Sequence, residues 1–182
     1  ETGTYYTFTT GGGIDIFKVN SYDDITVQDI LDEAGVARKT FYRYFNDKYD
    51  IVNAYYNDYI TQNIIPHREK KNYYELSIDI YNFIKENRKY FKNAMNSEKD
   101  GNLFDFLYKT AVSGYLEYYY ENNDSADIDE ETKFKMEVFA HQSVFCVKKW
   151  VNEGCTVPTE TLVEWMRDIS CDIKKITMDT KK

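Results

Sequence analysis

Thr26-Val27-Gln28-Asp29-Ile30-Leu31-Asp32-Glu33-Ala34-Gly35-Val36-Ala37-Arg38-Lys39-Thr40-Phe41-Tyr42-Arg43-Tyr44-Phe45-Asn46-Asp47-Lys48 is the stretch on which the fold turns. Thr26 is a favourable N-cap, and Asp29 stands three residues on, as in a capping box. Ile25 and Ile30 bracket the cap like a hydrophobic staple, and Ile30, Leu31 and Ala34 form one apolar face. Gly35 then sits where a left-handed C-terminal cap is required, which predicts a short helix from Val27 to Ala34. A second helix is predicted from Ala37 or Arg38 to Phe45, anchored by Phe41 and Phe45, which lie four apart on one face. Asn46 is expected to cap the next helix, with Asp47 and Asp50 near its positive end. That helix should reach about Ile64, and Pro66 should end it.

Outward from this stretch almost nothing breaks helices. Two prolines and eight glycines serve 182 residues, three of the glycines fall together at Gly11–Gly13, and no strand-like alternation is sustained. The fold class is therefore all-α. Four body helices are predicted. Tyr73–Met95 carries Leu76, Ile80, Phe83, Asn87, Phe91 and Ala94 on a shared face. Leu103–Tyr120 aligns Leu107, Ala111, Tyr115 and Tyr118, and a polar acidic turn follows over Asn122–Asp129. Glu130–Asn152, with Asp127 and Glu130 as its capping pair, has two apolar stripes: Phe134, Val138, His141 and Phe145, and Met136, Ala140, Val144, Val147 and Val151. A helix apolar on two sides must be buried on two sides. The last helix starts around Pro158 with a stripe of Leu162, Trp165, Met166, Ile169, Ile173 and Ile176.

Composition removes several function classes. Cys146, Cys155 and Cys171 are odd in number and lack CxxC spacing, with only His67 and His141 to join them. They read as small buried hydrophobes in a reducing compartment, with no disulfide framework and no metal site. Gly11–Gly13 lack the residues that complete a phosphate loop and read as a flexible link. Without a nucleophile–base signature or paired carboxylates in a cleft motif, no enzyme and no cofactor is expected. No signal peptide and no apolar run long enough for a bilayer are read, so a cytoplasmic protein without membrane contact is expected. A net charge of −8 argues against a surface coated in basic charge. It leaves room for a local basic face, because phosphates feel charge mainly within about 8–10 Å.

Such a face exists in the second helix of the opening stretch. Arg38, Lys39, Thr40, Tyr42, Arg43 and Tyr44 project outside the Phe41/Phe45 anchor. Arginine bonds guanine edges in two places, and Lys, Thr and Tyr bond phosphate oxygens. Asp23, Asp24, Asp29, Asp32 and Glu33 fall on or before the first helix, the side expected to face away from a groove.

Taken in order, Val27-Gln28-Asp29-Ile30, Ala34-Gly35-Val36-Ala37-Arg38-Lys39-Thr40-Phe41-Tyr42-Arg43-Tyr44-Phe45-Asn46-Asp47-Lys48 closely resembles the helix-turn-helix of TetR/AcrR regulators. The likeness spans about an eighth of the chain. It implies an N-terminal DNA-binding domain over 1–64 and a ligand-binding and dimerisation domain over 65–182. It implies base or phosphate contacts for Arg38, Lys39 and Thr40, and phosphate positioning by Tyr42, Tyr44, Lys48 and the helix start at Thr26. Val147-Lys148-Lys149-Trp150-Val151-Asn152-Glu153-Gly154, followed by Pro158, looks like the closing region of the subgroup near dihydroxyacetone kinase operon regulators. The resemblance further implies a homodimer built on the last two helices and a palindromic double-stranded operator. It also implies repression relieved by a small apolar or aromatic effector, or control through a protein coactivator. Candidate effector contacts are Phe83, Phe104, Tyr108, Tyr115, Phe139, His141 and Trp150. Two departures stand out. Ala37 replaces the Ser that usually caps the reading helix, and Glu1–Gly13 predicts no counterpart of the family's basic opening helix. Those departures and the acidic charge favour an alternative, an interaction protein of the same fold that has lost DNA binding and works through a protein partner.

Overall fold

The computed structural model describes residues 12–19, 21–97, 102–122 and 127–178, and these form helices with no strand among them. In chain order they are α1 (Gly12–Val19), α2 (Val27–Ala34), α3 (Arg38–Phe41), α4 (Lys48–Tyr59), α5 (Tyr73–Glu86), α6 (Arg88–Met95), α7 (Leu103–Asn122), α8 (Glu130–Asn152) and α9 (Thr159–Met178). A π-helical turn, Ile60–Ile64, and a 3-10 turn, Ile65–His67, link α4 to the body. The all-α reading holds.

Local signals place α2 where they were expected. The Thr26 side chain accepts from the Asp29 N–H at 3.2 Å, and the Asp29 carboxylate accepts from the Thr26 N–H at 2.8 Å. Gly35 closes the helix with φ 65°, a left-handed conformation that a Cβ would strain. Gly12 and Gly13 do not form a flexible link: they make the first turn of α1. The reason is tertiary. Phe17 is fully buried, stacked on Tyr22 at 5.1 Å and edge-on to Tyr90 at 6.1 Å. Burying a phenyl ring gains about 1.5–3 kcal/mol, enough to offset roughly 1 kcal/mol of helix propensity per glycine. Residues 1–11, the rest of the atypical opening, lie outside the described residues.

Several boundaries differ from expectation. Regular helix in α3 stops at Phe41, because Arg43 and Tyr44 donate to carbonyls three residues back and tighten the turn. Asp47, not Asn46, caps α4: its carboxylate accepts from the N–H groups of Tyr49 and Asp50, while Asn46 donates to Asp50. The helix read as Tyr73–Met95 is broken at Asn87, which has φ −104° and ψ 27°. There the Asn87 amide donates to the Phe83 carbonyl at 3.0 Å and its oxygen accepts from the Tyr55 hydroxyl at 2.9 Å. A side chain bonded to the preceding turn competes with helix continuation.

In α8 the cap is Asp129, which accepts from the Thr132 N–H at 2.8 Å, rather than Asp127. The acidic turn before it falls partly on residues 123–126, outside the described residues. One α8 stripe is buried through Ala140, Val144, Val147 and Val151; in the other, Phe134, Val138 and Phe145 are 65%, 49% and 56% exposed. In α9, Leu162 and Met166 are buried, but Trp165 is 56% exposed instead of joining them. The side chains of Ile173 and Ile176 lie outside the described residues.

A single hydrophobic cluster runs from Phe17 to Met166 without a break after residue 64. α1 packs on both α2 and α6, so the N-terminal helices sit directly on the body. Polar bonds seal the junction. Asn93 donates to the Phe17 carbonyl at 2.9 Å, Tyr90 to the Val52 carbonyl at 3.1 Å, and Ser97 to the Asp23 carboxylate at 2.7 Å.

Candidate functional site

Among the described residues, the ridge on α3 and a cavity in the body have an arrangement suited to binding. On the ridge, Phe41 and Phe45 are buried, with ring centroids 5.6 Å apart. Their position turns Arg38, Lys39, Tyr42 and Arg43 outward; all four are exposed, and Thr40 and Tyr44 are half-buried beside them. Arg38 donates to the Gln28 side-chain oxygen at 3.3 Å, which steers its guanidinium along the face shared with α2. No side chain caps α3 at Ala37, as its residue type requires. The surface therefore offers two guanidinium forks, an ammonium, a hydroxyl and two phenols side by side, a donor set that suits base edges and phosphates.

Lys48 acts differently. Its ammonium donates to three backbone carbonyls, those of Tyr22 at 2.8 Å, Asp23 at 3.1 Å and Ile25 at 2.6 Å. It also lies over the Tyr22 ring, 5.2 Å from the centroid. Tyr22 returns a bond from its hydroxyl to the Lys48 carbonyl at 3.0 Å. An ammonium has three donors, and these bonds engage all three. The Lys48 ammonium, expected from the sequence to contact a phosphate, here clamps the start of α4 to the segment preceding α2. Thr26 is exposed at the start of α2, with its hydroxyl directed to Asp29 at 2.6 Å. Those Thr26 bonds hold the Asp29 carboxyl below the usual carboxylate range.

The cavity lies between α4, its π turn, α5, α7 and α8, with a volume of about 690 Å³. That is within the range of small-molecule sites, roughly 300–1,000 Å³. Ile60, Ile64, Leu76, Ile80, Leu107 and Val144 give the wall its aliphatic part, and Asn57, Asn72, Ser77 and Thr110 also line it. Set into it are the phenols of Tyr56, Tyr73, Tyr81 and Tyr115. Tyr73 donates to the Tyr115 hydroxyl at 2.6 Å, Tyr115 lies 3.5 Å from the Ser143 hydroxyl, and Ser143 donates to the Phe139 carbonyl at 2.8 Å. Burial pushes the phenols of Tyr56, Tyr73 and Tyr81 well above their ordinary value, so they remain protonated donors. At the rim Arg68 faces Glu117 at 3.5 Å, and Lys71 bonds Asp79 at 2.5 Å.

Of the seven effector contacts expected from the sequence, Tyr115 alone lines this cavity. Phe83 is stacked on Tyr59 at 3.7 Å, closing the core beneath α4. Phe104 and Tyr108 instead meet an exposed His141 at 5.3 and 5.9 Å, with the Lys148 ammonium over Phe104. Phe139 packs behind Tyr115 at 5.4 Å. Trp150 is buried and donates from its indole to the Val157 carbonyl at 2.9 Å, fixing the bend between α8 and α9. Missed in the sequence were Tyr56, Tyr73 and Tyr81. Their only signal was the i, i+4 rows they share with apolar neighbours, such as Tyr56-Ile60-Ile64, which read equally well as core.

Comparison with known proteins agrees with this architecture. The family described as "Bacterial regulatory proteins, tetR family" matches residues 12–55, and "Transcriptional regulator C-terminal region" matches residues 71–170. Among solved structures, the dihydroxyacetone kinase operon activator DhaS superposes with a TM-score of 0.64 at 16% identity, covering 97% of this chain and 98% of that one. A TetR-family transcriptional regulator from Syntrophomonas wolfei gives 0.61 at 18% identity, covering 93% and 96%. A TetR transcriptional regulator from Rhodococcus gives 0.62 at 12% identity, covering 92% and 96%. No curated protein matches the chain. At these identities the superpositions speak for the fold, whereas the two family matches reach from α1 through most of α9. The chain belongs to the TetR family of transcriptional regulators.

Proposed function

We propose that the protein binds a palindromic operator in double-stranded DNA as a two-fold dimer and represses transcription until an effector enters the body cavity. The observation that carries the reading is the α3 ridge, whose polar side chains are exposed above the buried Phe41 and Phe45. In the major groove, Arg38 and Lys39 reach base edges or phosphates, while Thr40, Tyr42 and Tyr44 position the ridge on the backbone. Residues 1–64 act as the reading head and 65–182 as the responsive body.

Pairing through α8 and α9 is supported by exposed Phe134, Val138, Phe145 and Trp165. Large apolar side chains left to water on adjacent helices suit an isologous interface. Two heads of such a dimer must meet successive major grooves, about 34 Å apart. The cavity supports an effector-responsive mechanism because α4 and its π turn form one wall while the Lys48 clamp ties the other end of α4 to the head. An effector that prefers another head spacing lowers operator affinity by its differential binding energy, typically ~1–3 kcal/mol. Operator DNA places this work in the cytoplasm. Among the described residues no helix is long and apolar enough to cross a membrane.

A second reading keeps the fold and replaces DNA with a protein partner. It is favoured by the net charge of −8 and by the engagement of Lys48 with carbonyls. A mobility-shift titration on duplex DNA at several salt concentrations separates the two. The DNA reading expects a shift whose log affinity falls linearly with log salt, and weaker binding for Arg38→Ala with stability unchanged. A protein that shifts no duplex at low salt, or an Arg38→Ala variant that binds as the parent does, favours the partner reading.

A further inference from the structure

We propose that the body cavity takes an aliphatic molecule whose polar head is a hydrogen-bond-accepting oxygen, a carbonyl or a carboxylate, held by the hydroxyls of Tyr56 and Tyr81. This ligand class rests on the reading of the cavity as the effector site.

The tyrosine hydroxyls lining the cavity fall into two sets, while Ser77 and Thr110 donate to the Tyr73 and Phe106 carbonyls of their own helices. Tyr73, Tyr115 and Ser143 form a chain that ends on the Phe139 carbonyl, so its donors already have acceptors. Tyr56 and Tyr81 donate to no protein acceptor among the described residues. Tyr56 is only 7% exposed. The sealed side-chain polar atoms that lack a partner, among the described residues, are the Tyr49 hydroxyl and the Asn53 oxygen. The hydroxyls of Tyr56 and Tyr81 are not among these sealed atoms, and both residues line the cavity. A donor without a protein acceptor in a largely apolar wall gains a hydrogen bond from an incoming oxygen.

Three further observations narrow the class. Burial keeps both phenols protonated, so they present O–H groups rather than phenolates. Each rim cation faces a carboxylate, Arg68 with Glu117 and Lys71 with Asp79, so neither sign of charge is in surplus there. A cationic head would find a carboxylate in the lining at Glu117, which already faces Arg68 at 3.5 Å. Ile60, Ile64, Leu76, Ile80, Leu107 and Val144 supply an apolar stretch of the lining, which suits an alkyl body. The sequence alone pointed to an apolar or aromatic effector; the lining points to the aliphatic half of that expectation.

The test is a calorimetric titration of the full chain with three probes of matched chain length: decanoate, 2-decanone and decylamine. At least one oxygen-bearing probe is expected to bind tenfold or more tightly than decylamine. Binding of decanoate alone identifies the carboxylate form of the head, and binding of the ketone identifies the neutral carbonyl. Tyr56→Phe and Tyr81→Phe, which each remove one hydroxyl, should weaken the bound probe by about tenfold. Tyr108→Phe, outside the cavity, should leave it unchanged. Decylamine binding as tightly as the oxygen probes overturns the proposal, as does parent-like affinity in both cavity variants or failure of every probe to bind. A duplex shift by the protein without probe, run in parallel, keeps the two readings apart. Loss of probe binding with that shift intact removes the ligand class alone, and absence of the shift removes the DNA reading.

Discussion

In the head, Phe41 and Phe45 are buried against one another and the space beneath the ridge is filled; in the body, Tyr56, Tyr73, Tyr81 and Tyr115 stand around a cavity of about 690 Å³. Both regions are rich in aromatic rings, yet the rings act differently. A filled aromatic floor has few alternative packings, so it holds Arg38 to Tyr44 in one presentation. Rings that surround a cavity with their hydroxyls inward leave helices free to close or part around an occupant. Rigidity near the ridge and adaptability in the body are what the proposed coupling of a DNA-reading head to an effector site needs.

The sharpest way to break this comparison is Phe41→Ala. Removing a fully buried phenyl from a filled site should cost about 3–5 kcal/mol, whereas Tyr81→Phe, which removes one hydroxyl facing the cavity, should stay within about 1 kcal/mol. Chemical denaturation of both variants measures the contrast; equal losses would mean that the head is no more tightly filled than the body.

Lys48→Met comes next. It removes three charge-assisted bonds to carbonyls while keeping the length of the side chain, and a loss of about 1.5–3 kcal/mol is expected. The same variant should leave the salt dependence of DNA binding unchanged, because the ammonium is a clamp. A slope reduced by about 0.9 would return Lys48 to the phosphate contacts.

Smaller still is Thr26→Ala, expected to cost about 1 kcal/mol through loss of the cap. It carries a pH signature. The Thr26 hydrogen bonds lower the Asp29 carboxyl in the folded state, so its contribution is present above the unfolded value, ordinarily 3.8, and is lost as pH falls through the lowered one. In acid unfolding curves Thr26→Ala should show less of this low-pH loss than the parent. Parallel curves would mean that the capping box does not govern Asp29. In the body, Gly114→Ala should stabilise by roughly 0.5–1 kcal/mol, since a Cβ there meets nothing within 4 Å on an α7 helical turn. A thermal melt checks the sign, and a loss would mean that α7 needs the glycine.

How much the sequence disclosed follows the same division. α2 was legible to the residue because a capping box and a left-handed glycine are local, and the floor of the ridge was legible because Phe41 and Phe45 are one helical turn apart. The break at Asn87 was not, because it needs the Tyr55 hydroxyl from 32 residues away. α1 was hidden for the same reason: its glycines argue against a helix until Tyr22 and Tyr90 enclose Phe17. Lys48 has the residue type of a phosphate contact, and only the fold around Tyr22 to Ile25 redirects it. The cavity was the least legible feature. A cavity is the space that rows from several helices leave unfilled, and each row taken alone, Tyr56-Ile60-Ile64 or Leu76-Ile80, reads as core. Aromatic residues drew attention to Phe83 and Trp150, which are buried and already satisfied.

The measurement that bears most directly on the ridge is selection of the full chain against a random pool of duplex DNA at fixed salt, with Arg38→Ala carried alongside. A dimer that reads with α3 should enrich an inverted repeat whose half-sites are centred about 10 base pairs apart, or a multiple of that, and Arg38→Ala should relax the preference at one position of each half-site. No enrichment, a single unrepeated site, or a motif unchanged by Arg38→Ala would contradict a DNA-reading role for this surface.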